Sequence, residues 1–397
     1  MTNITHVRLK KGEDKRIRAG HTWIYSNEID TNATPLKGFS SGDEVLLEAS
    51  DKSLLGVGYI NPHSLIAVRL VSRNPEIRLN QTFFDDSLKA ALTSRQQLFP
   101  QPYYRLVFSE ADQLPGLVID RFDHHFVVQI NTAGMEAKRD LIVNSIRNIF
   151  PDAISILFRN DSQIRTQEGL PSYVEAAYGQ PPEEVTLEEN GVQFTAPLWK
   201  GQKTGWFYDH RMNRARLQQY AGNHSVLDVF SYVGGWGIQA AVYGAKSVEC
   251  IEVSESACNF ILRNAKLNRV EDKVNVINDD AFDAMKQLLN KNKHYDVIVL
   301  DPPAFVKKFK DRKEGLIAYQ RLNEMALKLL SPNGILFSCS CSMHISMDDL
   351  FELLQRAAYR SQSQIQVLER GHQGPDHPLH IAIPESDYLK AVVVRKM

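Results

Sequence analysis

The chain of 397 residues has only four cysteines, Cys250, Cys258, Cys339 and Cys341, all in its C-terminal half and none at the paired spacing of a zinc site or disulfide framework. They read as free thiols, and no metal site is expected. No apolar run approaches the roughly 18 residues that would span a bilayer, and the first twenty residues lack the apolar core of a secretion signal. A cytoplasmic location with no membrane partner is therefore expected. Low-complexity tracts are missing too, as is any charge excess: 46 Lys plus Arg stand against 47 Asp plus Glu, a net charge of −1. Bulk charge thus argues neither for nor against a nucleic-acid partner. Only two local clusters speak, Arg8, Lys10, Lys11, Lys15, Arg16 and Arg18, and Lys307, Lys308, Lys310, Arg312 and Lys313. What is present is ordinary globular material, 43% hydrophobic and 23% charged, in a length that fits two or three domains.

Residues 1–75 read as short strands broken by turns, at Thr22 to Tyr25, Glu44 to Leu47, Leu54 to Tyr59 and Ser64 to Val71, which predicts a small β-barrel. A helical period over Phe83 to Leu98 opens a second region. It continues with strands at Leu106 to Phe108, Gly116 to Asp120 and Phe126 to Ile130, a helix from Met135 to Ile149 and a strand at Ile154 to Phe158, giving a mixed α+β unit over 76–190. The turn formers and acids of Tyr178 to Glu184, with Glu188 and Glu189, read as a linker or surface connection. From Ser225 onward, apolar strands alternate with helices. That rhythm predicts βαβ units and a doubly wound α/β sheet of about seven strands over 191–397.

Chemistry is expected where those strands end. Val226-Leu-Asp-Val-Phe-Ser-Tyr-Val-Gly-Gly-Trp-Gly237 is a strand running into a glycine-containing loop and a helix, the place where such sheets bind nucleotide-like cofactors. A tight turn without a ligand would carry the same glycines. Glu252 closes the next strand 24 positions after Asp228, close to the ~20-residue interval at which an acid meets ribose hydroxyls. Asp279 and Asp280 follow the third strand at the level of an adenine edge, although Asp280 also suits a helix N-cap. The fourth strand ends in Asp301-Pro-Pro-Ala-Phe305, whose prolines keep the Asp301 carboxylate at the strand tip. Alternation along Ile335 to Ser342 sets Cys339 and Cys341 on one face, either of which alone would more often be a core residue.

These residues in this order resemble the class I, Rossmann-like methyltransferases. With Lys203-Thr-Gly-Trp-Phe-Tyr-Asp-His-Arg211, Asp376-His-Pro378, Pro384-Glu385 and Tyr388-Leu-Lys390, the chain is similar over nearly its whole length to the PUA-domain ribosomal RNA cytosine-5 methyltransferases of the RlmI type. Gly20-His-Thr-Trp23, Gly42-Asp43 and Leu55 to Tyr59 resemble the PUA module of that family. The resemblance implies S-adenosyl-L-methionine as cofactor, large-subunit ribosomal RNA as partner, with a homodimer as the candidate assembly, and an RNA-binding role for the first basic cluster. It implies a cofactor site of Lys203, Thr204, Gly205, Phe207, Asp209, Arg211, Asp228, Phe230, Ser231, Gly234, Gly235, Glu252 and Asp280, and catalysis by Cys341 and Asp301, with Cys341 adding to cytosine C6. Phe207 and Phe305 are equally readable as stacking or core residues. Two departures stand out: His210 replaces the middle glutamine of the family's Asp-Gln-Arg, and Ala304 stands where related two-cysteine enzymes carry a cysteine. Rival readings are methylation of a base nitrogen and a non-catalytic RNA-binding assembly protein on the same fold; a nicotinamide dehydrogenase lacks its G-x-G-x-x-G spacing here.

Overall fold

A computed structural model describes residues 4–397, which fold as two units. The first comprises the chain up to Val185 together with Pro197–Tyr208 and Pro375–Ser386. Its strands β1 (Thr5–Arg8), β2 (Trp23–Tyr25), β3 (Asp43–Glu48), β4 (Leu54–Ile60) and β5 (Ile66–Ser72) form a five-stranded sheet in the order β1-β3-β4-β5-β2 around a core that includes Val7, Ile24, Val45, Leu47 and Val68. Strand β1 was not legible in the sequence, because Thr5–Arg8 buries only Val7 and pairs in parallel with a strand far along the chain.

The same unit carries α1 (Gln81–Leu98), β6 (Tyr103–Phe108), β7 (Leu117–Phe122), β8 (His125–Ile130), α2 (Arg139–Ile149), β9 (Ser155–Asn160) and β10 (Tyr173–Gly179), with sheet order β10-β9-β8-β7-β6. Asn80 starts α1 by accepting from the Phe83 N–H, and Phe84, Leu88, Ile142 and Ile146 face Leu106, Ile119 and Val128 in one core. The helix expected from Met135 to Ile149 is instead a short turn, Ala133–Glu136, followed by α2. Gly134 holds that turn against the Tyr59 ring, where any Cβ would collide, and the chain leaves helical geometry at Lys138 before α2 begins. Tyr59 itself donates to the Pro115 carbonyl at 2.7 Å, and Arg69 pairs with Glu110 at 2.9 Å, so polar contacts join the two sheets within the unit.

The second unit, Thr186–Ala196, Asp209–Gly374 and Asp387–Met397, opens on β11 (Glu184–Glu189) and β12 (Val192–Pro197), a two-stranded sheet. The connection expected from Tyr178 to Glu184 is confined to residues 180–183, between the strands Tyr173–Gly179 and Glu184–Glu189, while Glu189 is not a linker acid: it is buried, bonded to Arg214 at 2.6 and 3.0 Å and to the Gln239 amide at 2.9 Å. A buried acid with partners distant in sequence is indistinguishable, in sequence alone, from a solvated one. Then come β13 (Ser225–Val229), α3 (Gly237–Val242), β14 (Ser247–Ile251), α4 (Glu255–Leu267), β15 (Val274–Ile277), α5 (Ala281–Asn290), β16 (Tyr295–Leu300), α6 (Arg312–Leu329), β17 (Leu330–Ser340), α7 (Met347–Arg360), β18 (Ile365–Gly371) and β19 (Lys390–Lys396).

The seven-stranded order is β15-β14-β13-β16-β17-β19-β18, with β15, β14, β13, β16 and β17 mutually parallel and β19 antiparallel to its neighbours. The order reverses beside β13, so β13 and β16 meet at the switch point where such sheets open a crevice at their carboxyl ends. Side chains cap the crossover helices: Ser254 for α4, Asp280 for α5 and a Ser346–Asp349 capping box for α7. Glu189→Ala should cost about 3–5 kcal/mol in urea unfolding, because it strands the buried Arg214 guanidinium. A loss below about 1 kcal/mol would show that water reaches the pair.

Candidate active site

Five parallel strands deliver their last residues to one edge of the sheet, and the predicted residues of the second unit gather there. After β13 the chain turns through Phe230 (φ 67°) and Tyr232 (φ 51°), both in left-handed backbone that disfavours side chains, then through Gly234 (φ 89°) into α3. That strain is held by neighbours. The Phe230 and Ser231 N–H groups both donate to the Ile251 carbonyl at 3.1 Å, and the Ser231 hydroxyl donates to the Asp228 carbonyl at 2.8 Å. The Asp228 carboxylate accepts the Gly237 N–H at 2.8 Å, pinning the first turn of α3, and a Cβ at Gly237 would lie 2.6 Å from the Cys250 sulfur.

Glu252, one strand over, accepts the Tyr232 N–H at 2.8 Å and the Ser254 N–H at 2.9 Å, so it fixes the same loop from the other side. Asp280 is exposed and accepts from the Phe282 and Asp283 N–H groups. The cap expected of it is therefore present. Asp279 accepts its neighbour's N–H and the Gln287 amide.

Asp301 stands at the tip of β16. The Trp236 indole N–H donates to its Oδ2 at 3.0 Å, and His210 Nε2 lies 3.1 Å from its Oδ1. The Asn213 amide lies 3.3 Å from the other imidazole nitrogen. Burial, the largest single influence, pushes the Asp301 carboxyl upward, but the His210 charge and the bonds from His210 and Trp236 outweigh it and hold it below the usual carboxylate range. Sequence reading left His210 without a role; its only signal was the departure from the family's glutamine. His210, Asp301 and the buried Cys339 offer donor atoms within 4.8 Å of one another, the one group among the described residues with the composition of a metal ligand set.

The two cysteines separate. Cys339 is enclosed, and burial, followed by the nearby Asp301 charge, pushes its thiol well above the usual cysteine range. Cys341 lies just past the end of β17, half-buried, with its sulfur 3.9 Å from the Pro302 carbonyl of the Asp-Pro-Pro turn. The Lys390 ammonium donates to the Ser342 and Tyr388 carbonyls at 2.8 Å each, beside that turn. Burial lowers its pKa, and Asp387 and Cys341 pull it back up. Asp209 accepts from the Tyr388 hydroxyl, and Arg211 points to Glu189 at 3.6 Å.

Lys203, Thr204, Gly205 and Phe207 belong to the first unit. There the Lys203 ammonium lies 4.7 Å from the Phe207 ring centre, Gly205 takes φ 105°, and the buried Thr204 hydroxyl donates to Asp120, which also accepts two bonds from Arg105 at 2.8 Å.

Comparison with known proteins matches residues 7–73 to the PUA-like domain and residues 163–395 to the S-adenosylmethionine-dependent methyltransferases. The chain belongs to that methyltransferase family. Among curated relatives, the methyltransferase is 36% identical to the "Ribosomal RNA large subunit methyltransferase I" of Shewanella frigidimarina over 394 residues and 34% identical to that of Aliivibrio fischeri over 395, with 98% of both chains covered in each case. Among solved structures, a SAM-dependent methyltransferase assignment from Streptococcus mutans superposes with a TM-score of 0.83 at 21% identity, covering 99% of this chain and 100% of that one. A structure of a methyltransferase complexed with SAH gives 0.84 over the same shares.

The residues present fit S-adenosylmethionine. Asp228 Oδ1 is buried without a hydrogen-bond partner among the described residues, at the loop where a cationic cofactor is expected. Gly234 leaves a space that any Cβ would close, 2.8 Å from Ile238. Burial pushes Asp228 up to about 7, with Asp301 and Glu252 adding to the rise and the Gly237 N–H and Ser231 opposing it. Its unfolded value is near 3.9, so between those values the folded state holds more protons, and stability falls as pH rises from about 4 to about 7. Asp228→Asn should abolish that decline in urea midpoints measured on cofactor-free protein at pH 5 and pH 8. Equal declines in both proteins would mean that the carboxyl ionises normally.

Proposed function

We propose that this methyltransferase forms 5-methylcytosine in large-subunit ribosomal RNA through a cysteine adduct, with Cys341 as nucleophile. The placement of Cys341 carries this reading: a sulfur open to the sheet edge, against the Asp301-Pro-Pro turn and near the Lys390 ammonium, while Cys339 is enclosed and held as a thiol. The names of the full-length curated relatives supply the substrate class.

Carbon 5 of cytosine is a weak nucleophile. The Cys341 thiolate bonds to C6, the ring electrons move to C5, C5 takes the methyl group, and loss of the C5 proton to water expels the thiolate. S-Adenosylmethionine, when bound, supplies an electrophilic methyl on a sulfonium. Because Asp301 is kept ionised by His210 and Trp236, it accepts hydrogen bonds and donates none, which suits the cytosine exocyclic amine and rejects the carbonyl of uracil. Lys203, Thr204, Gly205, Phe207, Asp209, Arg211, Asp228, Phe230, Ser231, Gly234, Gly235, Glu252 and Asp280 are assigned to the cofactor: the family's motif supports 203–211, the strained loop supports 228–235, and the place of Glu252 at the end of the next strand, 24 positions after Asp228, supports a ribose contact.

The proposal includes a division of labour among a PUA-like RNA-binding segment at 1–75, a central α+β segment at 76–190 and the methyltransferase segment at 191–397. No helix among the described residues is long and apolar enough to cross a membrane. A cytoplasmic homodimer completes the proposal, and sedimentation at micromolar concentration reads its oligomeric state.

Cys341→Ala should abolish methyl transfer and leave S-adenosylmethionine affinity within a few-fold, whereas Cys339→Ala should act on stability. Mass spectrometry of ribosomal RNA nucleosides from cells with and without the gene identifies the product, and an N-methylated base or a fully active Cys341→Ala protein would overturn the reading. His210→Gln keeps a donor toward Asp301 and should stay within a few-fold of the parent rate. His210→Leu removes it and should cost about tenfold to a hundredfold in kcat/KM, as loss of one hydrogen bond to a charged group does. Equal rates for the two variants would remove His210 from the reaction.

A further inference from the structure

The two basic clusters of the sequence differ in what answers their charge. In the N-terminal one, Arg8 pairs with Glu48, Arg16 with Glu28 and Arg18 with Asp14, each at 2.6 Å, and the Lys10 ammonium bonds the Asn27 carbonyl. Half of that cluster is thus answered by carboxylates, and its reading as an RNA contact leaves Lys10, Lys11 and Lys15 as exposed cations without one among the described residues.

In the second cluster, Lys307, Lys308, Lys310 and Lys313 are exposed, and no carboxylate pairs with any of them among the described residues. Between them Phe309 stands 73% exposed, with His344 as its one ring neighbour among the described residues, edge-on at 6.0 Å. An exposed phenylalanine alone is unremarkable. Its setting is not, because the segment is anchored at both ends to the turn that carries Cys341. Val306 is buried and its N–H donates to the Ser342 hydroxyl at 3.2 Å, which also bonds Tyr319; Arg312, opening α6, bonds the His344 carbonyl at 3.3 Å and Asp349 at 2.6 Å. Phe305 fixes the base of the loop against Tyr319, with ring centres 4.8 Å apart. A short basic loop with one unburied aromatic ring is therefore held rigidly beside the candidate nucleophile.

From this geometry we infer that residues 307–313 bind single-stranded RNA flanking the target nucleotide, with Phe309 as a stacking platform for an unpaired base and the lysines on the adjoining phosphates. Stacking on an aromatic face needs an unpaired base, and unpaired phosphates need cations that are not already neutralised. The inference rests on the reading of the chain as an RNA methyltransferase and names the part of the surface that holds the substrate next to Cys341.

Binding of a fluorescently labelled, cytosine-containing single-stranded RNA to the full chain, followed by anisotropy across a salt series, tests it. Phe309→Ala should weaken binding about tenfold, and Phe309→Tyr should restore it. The triple change Lys307→Gln, Lys308→Gln, Lys310→Gln should weaken binding and make the slope of log affinity against log salt shallower by about 2. S-Adenosylmethionine affinity should be the parent's in all three, which also shows that they are folded. Parent-like RNA affinity and salt slope in the Ala and triple variants, or no RNA binding by the parent at low salt, would overturn the inference. The readout is independent of the reaction: an N-methylated product with Phe309-dependent binding would sink the cysteine mechanism and leave this surface standing, and a 5-methylcytosine product with Phe309-independent binding would do the reverse.

Discussion

The site depends on keeping the partly buried Asp301 carboxylate ionised at the carboxyl edge of the parallel strands. Burial alone would protonate Asp301, and a protonated acid would present a donor where an ionised one only accepts. His210 and Trp236 reverse that preference, and they arrive from different parts of the second unit: Trp236 from the loop after β13, His210 from the segment that precedes it. His210 thus sits in contact with the acid at the tip of β16.

The cofactor loop is a second constraint of the same kind. Two side-chain-bearing residues and one glycine adopt left-handed backbone within five positions, and they do so because the carboxylates of Asp228 and Glu252 and the carbonyl of Ile251 hold the loop's amides. Strain of this sort persists only where surrounding bonds over-determine it, and it leaves polar atoms aimed outward from the strand ends. The unpartnered, buried Asp228 oxygen belongs to that pattern, as does its raised pKa: a carboxylate tucked against its own helix start and two other acids waits for a positive charge.

Several ion pairs lie inside the fold. Glu189 with Arg214, Arg105 with Asp120, Arg69 with Glu110 and Arg95 with Asp112 are buried pairs, each of which would be expensive to break. The lysines of 307–313 have no such partner among the described residues, and they lie where the sheet edge meets the turn carrying Cys341.

Period and punctuation in the sequence determined the alternating strands and helices from Ser225 on, the acids and glycines at the strand tips, and the position of Cys341 just past a strand, because these depend on local backbone preference and on the two-residue and 3.6-residue repeats of burial. The family resemblance supplied the cofactor and the likeness to RNA-modifying enzymes, which neutral net charge could not. Tertiary structure alone decided that Glu189 is buried rather than a linker acid, that the helix expected at 135–149 is broken, that β1 exists, that His210 faces Asp301, that Cys339 and Cys341 differ in exposure, and that carboxylates answer the arginines of the first basic cluster but not the lysines of the second. Each of those rests on a partner tens to hundreds of residues away, and a charge or a sulfur reads the same in sequence whether its neighbour in space is water, a carboxylate or a packed side chain.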